Sequence, residues 1–420
     1  MHGNAIGRRT LLRLGTSAVF GSLVARYLTP RAAVAAEAPP GKARACILLW
    51  LNGGPSHIDT FDPKPGRVTG GPFKAIAARA KGMTLSEHLP LLADRGDRIA
   101  LVRSMSSKEG NHARAQYLVH TGYAPNPTVV HPSLGGWTSA SLADPHSDLP
   151  AFVSIGGPSF GAGFLGVQNG PFVMQKGGAA PPDVAMPPGV DGARFDRRRA
   201  ALDAMEDRFA RTTGEPKVDG RRQVYAKAVR LMQSPKLDAF DLSAESEATK
   251  KTYGDTDFGR GCLVARRLVE RGTRFVEVVL DGWDTHKDDF ERTKTLMGTL
   301  DPAFAALLDD LGARGLSGST LVACMGEFGR TPKINANDGR DHWPGAWSAV
   351  LAGAGVRGGV VHGATDDDGA KPAGPPTGVP DLLATMATVM GLDPSHSETT
   401  PAGRPIAVTD DGTPIRAVMT

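Results

Sequence analysis

The sequence predicts an α/β fold with a mainly parallel sheet and helices on both faces, and three observations carry that prediction. Charge-free apolar runs recur along the chain, residues 45–51 (ACILLWL) and 320–325 (TLVACM) being the clearest. Such a run, bounded by turn residues, is how a strand covered on both faces reads. Amphipathic helical stretches fall between the runs, and that alternation builds most simply into one covered sheet. The runs end in glycine-rich turns carrying His, Asp and Glu, which puts polar groups at the carboxyl edge, where open α/β sheets bind ligands.

The first run ends at Asn52-Gly53-Gly54-Pro55 and leads into Ser56, His57, Asp59 and Asp62. Residues 86–95 read as a short helix capped by Ser86, and 98–102 as a second strand. Asn111 and His112 then open a helical stretch that closes at Gly122. Residues 152–155 form a third strand, and 171–190, rich in Gly and Pro, read as a surface excursion. Near 194–251 the chain turns charged and helical, with Phe195, Leu202, Met205 and Phe209 spaced along one face; this reads as a helical insertion packed on the sheet. An amphipathic helix over 258–271 feeds the strand 274–280 (RFVEVVL), which ends in Asp281, Gly282, Trp283, Asp284, Thr285 and His286. A long helix returns the chain to 320–325. Gly326, Gly329 and Pro332 enforce a turn there, and Glu327, Arg330, Asp341 and His342 follow within it. A strand over 347–352 and a helix over 381–390 complete the pattern.

At 420 residues the chain can bury a large core, and 22% charged with 40% hydrophobic residues is ordinary globular composition. A net charge of +4 argues against a nucleic-acid partner. Cys46, Cys262 and Cys324 fit small buried side chains and make no disulfide framework or cysteine-rich zinc pattern. At the amino terminus Arg8 and Arg9 precede a modest apolar run and the small residues Ala33, Ala35 and Ala36, which resembles a twin-arginine (Tat) export signal. Residues 1–36 are then a signal peptide and 37–420 one domain, delivered by the Tat machinery to the periplasm or cell exterior. Arg26 interrupts the apolar run, so no permanent membrane span is expected.

Imidazoles and carboxylates collect at these strand ends: His57, His112, Asp281, Asp284, His286, Glu327, Asp341 and His342. Without thiolates, such a set suits a divalent ion: zinc, manganese, calcium or iron. Two ions about 4 Å apart clamp the attacking and leaving oxygens of a phosphoryl or sulfuryl transfer.

Three motifs carry a family resemblance: the stretch from Asn52 through His57 and Asp59 to Pro65, the run from Gly282 to His286, and Gly326-Glu327-Phe328-Gly329-Arg330 with Arg340-Asp341-His342-Trp343-Pro344. In these the chain resembles the exported bacterial family known as domain of unknown function 1501, over nearly all of residues 37–420. That family is similar in turn to the alkaline phosphatase and sulfatase superfamily. The resemblance implies that fold, and it implies that Asp281, His286 and His342 share one ion, with Asp284 and Asp341 beside them and Glu327 holding a second. Arg330 would pair with the ester's free oxygens, and His57, Asp59 and His112 would close the site, one of them as acid or base. The sequence departs from the superfamily where Glu327-Phe328 replaces an Asp-His pair, where Asn52 replaces the first-strand aspartate, and where His112 takes the nucleophile position. The expectation is an exported metal-dependent hydrolase acting on small-molecule or glycan esters of phosphate or sulfate. Its alternative is a non-catalytic secreted binding protein for sulfated or phosphorylated glycans.

Overall fold

The computed structural model describes residues 42–178, 181, 184–186, 188–213 and 217–420; the export-signal reading of residues 1–36 lies outside them. Their centre is an eight-stranded sheet. Its strands, in chain order, are β1 (Ala45–Asn52), β2 (Ile99–Met105), β3 (Phe152–Ile155), β4 (Phe172–Met174), β5 (Phe275–Asp281), β6 (Thr320–Met325), β7 (Trp347–Gly353) and β8 (Val360–His362). Across the sheet they stand in the order β8-β2-β7-β6-β1-β5-β3-β4. All neighbours run parallel except β7, which is antiparallel to both β2 and β6. The α/β class with a mainly parallel sheet is therefore observed.

Both faces of β1 are covered, and its side chains alternate between two cores as a strand's period of two requires. Ile47, Leu49 and Leu51 pack with Cys262 and Leu268 of helix α5 (Asp257–Glu270) and with Phe304 and Leu307 of α6 (Asp289–Ala313). Cys46, Leu48 and Trp50 face the other way, toward Val119, Trp137, Leu382 and Met386. Those residues belong to α1 (His112–Thr121), α2 (Leu134–Leu142) and α7 (Val379–Met390). Each large side chain so enclosed stabilises the fold by about 1.5–3 kcal/mol. All three cysteines are buried and free.

Several local expectations are corrected. Ser86 ends a short strand, Thr84–Ser86, instead of capping a helix; the helix is confined to Pro90–Ala93, and the Asp301 carboxylate accepts from the Leu91 and Leu92 amides at its start. The segment 171–190 supplies the edge strand β4. Two helices, α3 (Gly192–Thr213) and α4 (Lys217–Gln233), occupy the charged segment, and Met205 on α3 is 71% exposed instead of packed on the sheet. No described helix is long and apolar enough to cross a membrane.

Register brings the site together. Asn52 pairs with Asp281 and Trp50 with Met325, so the loops after β1, β5 and β6 start side by side. Because β7 runs backward, the segment between β6 and β7 leaves and re-enters the sheet at that same edge.

Candidate metal centre

His112 is the first residue of α1, whose start is capped by the Asn111 side chain accepting from the Arg114 amide at 3.3 Å. His342 lies on a two-residue ladder, His342–Trp343 against Gly329–Arg330, with His342 opposite Arg330. Asp284 and His286 sit on the loop after β5, packed against two glycines. Gly53 has φ +116°, and a Cβ on it would lie 2.4 Å from the Asp284 amide; a Cβ on Gly339 would lie 1.9 Å from the His286 carbonyl. Any larger residue at either position would displace the loop.

Three imidazoles surround one carboxylate oxygen. Asp284 Oδ1 lies 3.3 Å from His112 Nε2, 3.2 Å from His286 Nε2 and 3.3 Å from His342 Nε2. His286 Nε2 and His342 Nε2 are 2.9 Å apart. Each ring's other nitrogen is tied down: His112 Nδ1 to Glu327 Oε1 at 2.7 Å, His286 Nδ1 to Asp341 Oδ1 at 2.8 Å, and His342 Nδ1 to the Gly110 carbonyl at 2.8 Å. A proton held at Nδ1 leaves the Nε2 lone pair for a shared ligand, which is how metal-binding histidines are fixed. The donor set fits a divalent ion. Imidazole nitrogens with a carboxylate oxygen favour zinc, manganese or iron chemistry, and ligand atoms of His112, Asp284 and His342 all lie within 4.8 Å of one another.

The electrostatics agree with that packing. The hydrogen bond to Glu327 holds the His112 imidazole above its usual range, whereas burial lowers that of His342. Partial burial opposes ionisation of Asp284, but the hydrogen bond and charge of Arg330, with His112 behind, hold its carboxyl down at about 2. The hydrogen bond from His286 keeps Asp341 low as well.

Of the residues expected at the site, His112, Asp284, His286, Glu327, Arg330, Asp341 and His342 are brought together. Their stations differ from those the resemblance implies. Glu327 is buried beneath His112, where it also accepts from the Gly53 amide and Gln116 Nε2. Arg330 is fully enclosed; it donates to the Gly53, Gly54 and Arg340 carbonyls and to Asp284 Oδ1, so it faces no open space. Asp281 accepts from Asn52 Nδ2 at 2.9 Å and is not in the group whose ligand atoms converge, His112, Asp284 and His342. His57 is buried beside Gly329, its Nε2 2.8 Å from the Gly369 carbonyl, and burial lowers its pKa. The Gly110 carbonyl and Gln116 escaped sequence reasoning. Gln116 stands four residues after His112 in α1, a spacing that puts both on one helical face and was there to be read.

A second polar cluster underlies the loop that carries His342. Arg340, Asp59 and Asp289 are all fully buried. Arg340 Nε lies 2.6 Å from Asp59 Oδ2 and 3.7 Å from Asp289 Oδ2, and its Nη1 donates to the Thr331 and Pro332 carbonyls. Burial first, then the charge of Asp59, lift the Asp289 carboxyl from 3.8 to about 7. The native state thus holds a proton that the unfolded chain releases between those values, so this group's contribution to stability falls as pH rises through that window. Asp289→Asn, which needs no such proton, is expected to gain stability relative to the wild type as pH goes from 5 to 8, the gap being read from urea midpoints at each pH. A gap independent of pH would remove Asp289 from the titration.

The profile of a family described as protein of unknown function (DUF1501) matches residues 43–419. No curated protein matches the chain. Among solved structures, the chain is similar to the lipoteichoic acid synthase LtaP from Listeria monocytogenes at 11% identity, covering 89% of this chain and 76% of that one with a TM-score of 0.38. It is also similar to the PsFucS1 sulfatase from Pseudoalteromonas sp. (14% identity, 92% and 73% covered, TM-score 0.36). A third similarity is to the phosphonate monoester hydrolase SpPMH from Silicibacter pomeroyi (11%, 90% and 76%, 0.35).

Proposed function

The chain belongs to the DUF1501 family, and from that premise we propose that it is an exported metal-dependent hydrolase of phosphate or sulfate esters, with His112, Asp284, His286 and His342 as its ion-binding set. One observation carries the reading: three Nε2 atoms converge on Asp284 Oδ1 while every Nδ1 is engaged elsewhere. A divalent ion held there supplies Lewis acidity toward an ester oxygen. Glu327 and Asp341 orient two of the rings, and Arg330 holds Asp284 ionised among them. The carboxylates of Asp284 and Asp341 are exposed, so the centre opens to solvent and admits a substrate larger than itself. Export by the twin-arginine route is supported by Arg8, Arg9 and the alanines at 33, 35 and 36.

A binding protein for sulfated or phosphorylated glycans is the second reading, and the enclosure of Arg330 favours it, because the cation expected to meet an anionic ester is spent on backbone carbonyls. Elemental analysis of protein folded in the cytoplasm, followed by turnover of aryl phosphates and aryl sulfates, separates the two. Hydrolysis predicts about one tightly held ion per chain and turnover that His342→Ala abolishes. An ion bound without turnover of either ester selects the binding protein, and no ion at all ends the hydrolase while leaving the binding protein standing.

A further inference from the structure

Of the large hydrophobic side chains that the described residues leave exposed, most lie between residues 167 and 225. Val167 is 66% exposed, Met205 71%, Val224 39% and Tyr225 46%. They belong to one region. Glu206 of α3 pairs with Arg221 at 2.8 Å and Arg222 at 3.3 Å of α4, which lays the two helices against each other. Lys227 Nζ donates to the Gln168 carbonyl at 2.6 Å, and a Cβ on Gly220 would lie 3.4 Å from Val167 Cγ1, which brings Val167 beside α4.

The net charge of this segment is positive. Residues 192–233 carry eleven Lys and Arg against six Asp and Glu, an excess larger than the +4 of the whole chain. Ion pairs engage Arg221 and Arg222. Arg197, Arg198, Arg199, Arg208 and Arg211 have none among the described residues. Arg208 stands three residues from Met205, at the spacing of helical neighbours. A merely solvated helix face carries charge without large apolar groups; here exposed apolar side chains are flanked by unpaired arginines. That combination suits a helix lying in the interface of an anionic bilayer, its apolar groups among the acyl chains and its arginines at the headgroups. No described helix can span a membrane, so the contact is peripheral.

We infer that the paired helices α3 and α4 dock this protein on an anionic lipid surface. The test is co-sedimentation of the full chain with phosphatidylglycerol–phosphatidylcholine vesicles and with phosphatidylcholine alone. Binding is expected only to the anionic vesicles, and it should weaken as salt is raised. Converting Arg197, Arg198 and Arg199 together to Gln should weaken it about 100-fold, and Met205→Glu with Tyr225→Glu should abolish it, both with unchanged thermal melting because these side chains are exposed. Equal partition onto both vesicle types, no sedimentation of the wild type, or retention on heparin without vesicle binding would each overturn the inference, the last by pointing to a soluble polyanion.

Discussion

Arg340→Met is expected to destabilise the protein by about 3–5 kcal/mol, the usual cost of removing one partner from a buried ion pair. Arg340 is fully enclosed between Asp59 and Asp289, so the substitution strands the Asp59 carboxylate, with Asp289 part-ionised beside it at neutral pH, and leaves no cation. It also leaves the Thr331, Pro332 and Thr69 carbonyls without the guanidinium that now donates to them. Chemical denaturation at neutral pH measures the loss. Adding Asp289→Asn should recover part of it, because the ionised fraction of Asp289 that repels Asp59 at neutral pH is then gone; a double variant no more stable than the single would show that lost packing, and not charge, sets the cost. Arg340→Lys should not substitute, since a single ammonium cannot serve Asp59 and three carbonyls with one fixed fork.

The second large effect falls on metal affinity. Glu327→Gln is expected to weaken binding of zinc or manganese about 10–100-fold, as loss of the group that orients a ligating histidine generally does. Glu327 is fully buried and makes its 2.7 Å bond to His112 Nδ1, so the substitution leaves the open face untouched and alters the buried support of that ring, its bonds from the Gly53 amide and Gln116 included. Titration calorimetry reads the affinity directly, independent of any turnover. Unaltered affinity would mean that His112 is not a ligand, and the centre would shrink to Asp284, His286 and His342.

Much of this arrangement was legible in one dimension. β1, β5 and β6 announce themselves because both faces are covered and few polar residues interrupt them, and the loops after β5 and β6 carry Asp284 with His286 and His342, two of the three rings that meet there. The short edge strands β4 and β8 were not, since three residues carry no period. Helix α2, with sequence LGGWTSASL, hides behind two glycines and three hydroxyl residues; it is held by the Ser133 cap and by burial of Trp137. The backward course of β7 was equally hidden, for an apolar run reads the same in either direction. At the site, composition named the side chains but not their stations. Whether Arg330 reaches outward or lies sealed under Asp284 depends on where the Gly53 and Gly54 carbonyls point, and that is set by backbone turns no spacing rule encodes.

The reversed strand has a consequence for how this centre can change. β6 and β7 are direct neighbours, with Cys324 opposite Val350, so the intervening stretch is a handle whose two feet stand on adjacent planks. Lengthening such a handle costs only about 0.6 kcal/mol per doubling. Grafting a loop between Met325 and Trp347 that keeps Arg330 and Arg340 would therefore exchange Glu327, Asp341 and His342 as one cassette while leaving the order of the strands intact.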